Sequence, residues 1–156
     1  MALRIGTDLP SFEGATEWVN SSEDGNQILA GSPVLVHFWS VSCGLCKENL
    51  PKVAEIRDQR KNQGLKVVAV HMPRYPEDMN REAVLEAIEQ YGITEPCAID
   101  NEHKLRDAFG NDRGYVPAYY VFDAEGKMRG FAAGANGLNL VLSALDRALN
   151  SAKTAA

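Results

Sequence analysis

The stretch Phe38-Trp39-Ser40-Val41-Ser42-Cys43-Gly44-Leu45-Cys46-Lys47 decides the reading of this chain. Leading into it, Pro33-Val-Leu-Val-His-Phe-Trp39 is a short apolar run rich in β-branched residues. It follows the turn signal Gly31-Ser32 and suits a buried strand. From Cys43 to about Gln63 the periodicity turns helical, with Leu50, Val53, Ala54 and Arg57 on one side. A buried strand thus runs through a short loop into a helix at the first of two cysteines. Free backbone N–H groups and the positive helix end both favour a thiolate at Cys43, the form that acts as a nucleophile. Cys46 lies one turn on, on the same side, within bridging distance and less exposed. The chemistry that follows has Cys43 attack a substrate disulfide and Cys46 resolve the mixed disulfide.

A CxxC pair is also half of a structural zinc site, and two inert cysteines are a third reading. No second CxxC or Cys/His pair occurs: Cys97, His37, His71 and His103 stand singly. Three cysteines in 156 residues do not make a disulfide scaffold. In a reducing compartment, cysteines kept close together are catalytic or metal-binding.

Downstream, Pro51 should kink the helix, Gly64 ends it, and Leu65-Lys-Val-Val-Ala-Val70 reads as the next buried strand. After a polar, Pro-containing stretch, Ala83, Val84, Ala87, Ile88 and Tyr91 mark an amphipathic helix closed by Gly92. Cys97 to Asp100 reads as a short strand and Glu102 to Phe109 as a short helix. Ala118 to Asp123, the turn Ala124-Glu-Gly-Lys127, and Met128 to Ala133 form an antiparallel hairpin. Leu138, Val141, Leu142, Leu145 and Leu149 stripe a final helix. This order predicts an α/β fold, a mixed sheet with helices on both faces, in a single domain over residues 1–156.

Composition narrows the function classes. With 45% hydrophobic and 24% charged residues the chain is globular, with material for a real core. A net charge of −5 without a Lys/Arg-rich run gives no support for nucleic acid or an anionic membrane as partner. The start Met-Ala-Leu-Arg-Ile-Gly-Thr-Asp8 lacks the apolar core of a secretory signal, and no stretch approaches the roughly 18 apolar residues of a membrane span. The expectation is a cytoplasmic protein, monomeric by default.

Trp39 to Cys46, Pro51 five residues past the second cysteine, and Val116-Pro117 before a hairpin together resemble thioredoxins. Within that superfamily the chain is most similar to the TlpA/ResA branch, and closer still to the cytosolic YkuV-type proteins of Gram-positive bacteria. Val-His-Phe-Trp-Ser, Val-Ala-Val-His-Met-Pro and Val-Pro-Ala-Tyr-Tyr-Val-Phe-Asp carry the last likeness, which covers about Gly6 to Asn150. It implies a thioredoxin-like fold, a thiol–disulfide oxidoreductase, and a cis Pro117 opposite the two sulfurs. Lacking an N–H, Pro117 would shape a groove and leave the Val116 backbone free to pair with an extended substrate strand. On residues alone, Pro117 is a turn proline before a strand.

The departures from thioredoxin are Ser42 for Trp, Leu45 for Pro, and His37 for a buried Asp. The membrane-anchored relatives carry Glu where this chain has Asn49, while Glu48 falls on another helix face. His37 has two readings: a neutral core histidine satisfied by the backbone, or a shuttle taking the Cys46 proton during resolution. Trp39 packs under the site, and Cys97 is a small buried strand residue with a regulatory thiol as second reading. His71 ends a strand, facing the site or solvent; His103 is exposed; Glu77-Asp78 is a solvated loop and helix start.

Three function classes follow. The leading one exchanges dithiol for disulfide with protein substrates, through Gly44-Leu45 between its cysteines, recharged by a reductase the sequence does not name. It needs no organic cofactor and no metal. A copper carrier is the second, disfavoured by two rather than three residues between the cysteines. A peroxidase is the third, disfavoured because no Thr or Arg flanks Cys43 in sequence.

Overall fold

The computed structural model describes residues 2–21, 29 and 31–155. The strands are β1 (Glu17–Val19), β2 (Val34–Trp39), β3 (Lys66–His71), β4 (Cys97–Ile99), β5 (Ala118–Phe122) and β6 (Met128–Ala133). The helices are α1 (Gly44–Arg60), α2 (Arg81–Gln90), α3 (Lys104–Ala108) and α4 (Gly137–Ala155). Single 3-10 turns occupy Lys61–Gln63 and Pro76–Met79. The sheet order is β1-β4-β3-β2-β5-β6. Strands β2, β3 and β4 are parallel, while β1, β5 and β6 run antiparallel to their neighbours. The mixed sheet predicted from the element order is therefore present, with one addition: β1 pairs Glu17–Val19 with β4 at the edge. Three half-buried residues carry too little alternation to be recognised as a strand.

Alternation along β2 sets the two layers. Val34, Val36 and Phe38 point to one face, where Leu105 and Phe109 of the α3 region and Phe12 close over them. Leu35 and Trp39 point to the other, beneath α1, α2 and α4. His37 shares that second face by the same period. On α1 the buried stripe is Cys46, Leu50, Val53 and Ile56. Ile56, not Arg57, continues the core side, and Arg57 sits half-buried at its margin.

Helix α1 begins one residue after Cys43, which is its N-cap, and runs on through Pro51. That proline has no N–H to give the Lys47 carbonyl. The last three residues assigned to this helix from sequence form the 3-10 turn instead, and Gly64 closes it at φ +96°, a conformation glycine adopts at little cost. The short helix starts later than its pattern suggests because the Asp100 carboxylate accepts the Leu105 and Arg106 N–H groups at 2.8 and 2.9 Å.

Candidate active site

Strand β2 delivers the loop 40–43 to the start of α1, and the two cysteines sit there. Cys43 and Cys46 are joined as a disulfide with Cα atoms 5.2 Å apart. Cys43 is 4% exposed and Cys46 1%, so the first sulfur is the more accessible. The Cys46 N–H donates to Cys43 Sγ at 3.0 Å, and the Cys43 N–H donates to the Ser40 carbonyl at 3.0 Å. An N-cap sulfur facing free N–H groups at the positive helix end is where a thiolate is best stabilised. Opposite lies the Val116–Pro117 bond, which is cis, with Pro117 buried. The Val116 carbonyl oxygen is 3.7 Å from Cys43 Sγ. Gly44 and Leu45 between the cysteines are exposed, as is Tyr115 beside Val116.

The loop before Cys43 is held from β3 and from the segment that follows it. His71 is fully buried, and its Nε2 accepts the Val41 N–H at 3.1 Å. Burial pushes its pKa down to about 4, despite the nearby Asp78 charge, so the ring is neutral and free to accept. Of the two orientations open to His71, the structure has it facing the site. Asp78 corrects the sequence reading more sharply. It is not solvated but 2% exposed, and its Oδ2 accepts from Ser40 Oγ, Ser42 Oγ and the Arg74 and Tyr75 N–H groups at 2.8–3.2 Å. Burial alone would raise its pKa; the Arg74 N–H and the hydroxyls of Ser42 and Ser40 hold it below the usual carboxylate value. The Arg74 guanidinium reaches Ser42 Oγ at 3.1 Å, so an arginine meets the residue before the first cysteine, through space and not along the chain.

His37 also departs from expectation. Its partner is a carboxylate and not the backbone: Nε2 lies 2.6 Å from Glu95 Oε2, with the His37 side chain 1% and the Glu95 side chain 3% exposed. Arg57 Nη1 donates to the other oxygen, Oε1, at 2.6 Å. Burial pushes the Glu95 pKa up, but the His37 hydrogen bond and charge, with Arg57 behind them, prevail and lower it to about 2. Trp39 packs with both cysteines and meets the His71 ring edge-on at 4.8 Å. Cys97 is fully buried, and burial pushes its thiol up to about 12. His103, expected exposed, is half-buried with Nε2 2.7 Å from the Pro73 carbonyl oxygen. Glu48 is exposed, and Asn49 bonds the Leu45 carbonyl. Among the described residues no group of three or more His, Cys, Asp or Glu side chains is placed to hold a metal. No helix among them is long and apolar enough to cross a membrane.

A mixed sheet with paired cysteines where β2 meets α1, facing a cis X–Pro bond, defines a thioredoxin-like protein. The chain belongs to the AhpC/TSA family, whose pattern matches residues 5–131. It is 42% identical to the thiol–disulfide oxidoreductase YkuV of Bacillus subtilis (strain 168), over 94% of this chain and 97% of that one. It is 28% identical to the thiol–disulfide oxidoreductase ResA of Bacillus anthracis, over 81% of this chain and 68% of ResA. The solution structure of a thioredoxin-like protein in the oxidized form superposes with a TM-score of 0.84 at 40% identity, covering 96% of this chain and 99% of that one. The resemblance drawn from Val-His-Phe-Trp-Ser and Val-Pro-Ala-Tyr-Tyr therefore holds.

Proposed function

We propose that this chain is a thiol–disulfide oxidoreductase that reduces protein disulfides, with Cys43 attacking and Cys46 resolving. The observation that carries the reading is the Cys43–Cys46 pair at the α1 N-terminus. The Cys43 thiolate attacks one substrate sulfur, the substrate S–S bond breaks, and the leaving thiolate takes a proton. Cys46, deprotonated, then attacks Cys43 Sγ and releases the second substrate thiol. Two electrons and two protons pass to the substrate, and the pair is left as its disulfide. The Val116 backbone beside the nucleophile, with Pro117 shaping the groove, receives the substrate as an extended strand. One monomeric, cytoplasmic domain carries this cycle, and a separate reductase restores the dithiol. The names of YkuV and ResA support the activity. A mixed-disulfide trap with insulin tests it: Cys46→Ser accumulates a covalent adduct with an insulin chain, and Cys43→Ser forms none. Undiminished insulin reduction by Cys43→Ser would contradict the assignment.

A peroxidase is the second reading, favoured by the approach of Arg74 to Ser42. Reduced protein that consumes hydrogen peroxide no faster than dithiothreitol removes it.

A further inference from the structure

The segment 72–79 brings two opposite charges, Asp78 and Arg74, to the active-site loop, and the exchange reaction does not use them directly. Asp78 is a buried carboxylate accepting four hydrogen bonds at one oxygen, two of them from Ser40 and Ser42. Ser42 immediately precedes Cys43, and its hydroxyl is shared: it donates to Asp78 and accepts from Arg74 Nη2 and Nε at 3.1 and 3.3 Å. Both charged groups are thus hydrogen-bonded to the loop that carries the nucleophile. The other groups around Asp78 are the neutral His71 ring and the Tyr75 N–H. Arg74 is exposed, and its ring contact is with Tyr75, whose centroid lies 5.4 Å from the guanidinium carbon.

We propose that Asp78 and Arg74 are opposed positioning residues that set how readily Cys43 ionises, with Ser42 as the hydroxyl both share. The inference rests on Cys43 being the attacking thiol. A fixed carboxylate disfavours a neighbouring thiolate and a guanidinium favours it. Asp78 restrains the nucleophile in the resting dithiol while tying down its loop. Arg74, at the open side, relieves that restraint. An acidic substrate segment that engaged Arg74 would strengthen it.

The test is the pH dependence of Cys43 alkylation by iodoacetamide in protein reduced with dithiothreitol, where the buried Cys97 stays silent. Asp78→Asn should raise the Cys43 ionisation constant about threefold or more, and Arg74→Gln should lower it by a similar factor. Opposite signs are the mark of charge, because a merely loosened loop would move both variants the same way. Equal signs, or no shift in either, overturn the proposal. Should Asp78→Asn not fold, the exposed Arg74→Gln decides alone: an unchanged midpoint refutes it. Neither outcome touches the role of Cys43, which the insulin trap reads separately.

Discussion

At the residue scale, the most informative side chain away from the cysteines is Glu95. His37 of β2 meets a buried carboxylate that arrives from the loop before β4, 58 residues further along. His37 and Arg57 each hold one of its oxygens. Glu95 has a lowered folded pKa of about 2 against 4.5 for the free side chain, so the group binds fewer protons folded than unfolded. Its contribution to stability is therefore fully present above about pH 4.5 and is lost as pH falls toward 2. Glu95→Gln should cost on the order of 3 kcal/mol at pH 7, read by urea unfolding. That deficit should shrink at pH 3; a deficit independent of pH would show that the carboxylate's charge is not what matters. The shuttle role for His37 is tested by His37→Ala and the pH profile of disulfide release, which should lose a limb if the ring moves the Cys46 proton.

At the element scale, the strand ends do the positioning. β3 ends in His71, whose neutral ring accepts the Val41 N–H, and unfolding restores its ordinary affinity for protons. The unfolded chain then binds more protons between about pH 4 and 6.5, so stability should decline as pH falls through that window. His71→Gln should flatten that part of the curve in a pH series of thermal melts; an unchanged slope would assign it to another group. Helix α4 is anchored by its apolar stripe, and Leu145 at its centre is fully buried against β5 and β2. Leu145→Ala should lower stability by about 2–5 kcal/mol in the same assay. These elements also show what a sequence discloses. The cysteine pair, the strand before it, the Val116-Pro117 turn and the hairpin were legible because each is a short-range pattern. Glu95, Asp78 and Arg74 were not, because each meets its partner only after the sheet has brought distant loops together. Asp78 looked solvated beside Glu77 in a Pro-containing stretch, and only its closure onto Ser40 and Ser42 buries it. Strand β1, three residues long, is too short to show its period.

At the scale of the whole molecule, the sheet places the site where ligands meet open α/β sheets, at the carboxyl ends of the parallel strands β2 and β3. Three helices cover the face beneath the cysteines, and the antiparallel β5 brings Pro117 to the same end. Trp39 packs in one buried cluster with both cysteines, so its fluorescence is expected to report their redox state. The most direct test of Cys43–Cys46 exchange is therefore equilibration of the protein against glutathione redox buffers, followed by Trp fluorescence and thiol trapping. One reversible two-electron transition that Cys43→Ser abolishes is expected, and a potential near that of thioredoxin, about −270 mV, would mark a reductant where one near about −120 to −180 mV would mark an oxidant or isomerase. The absence of a reversible transition, or its persistence in Cys43→Ser, would contradict the exchange.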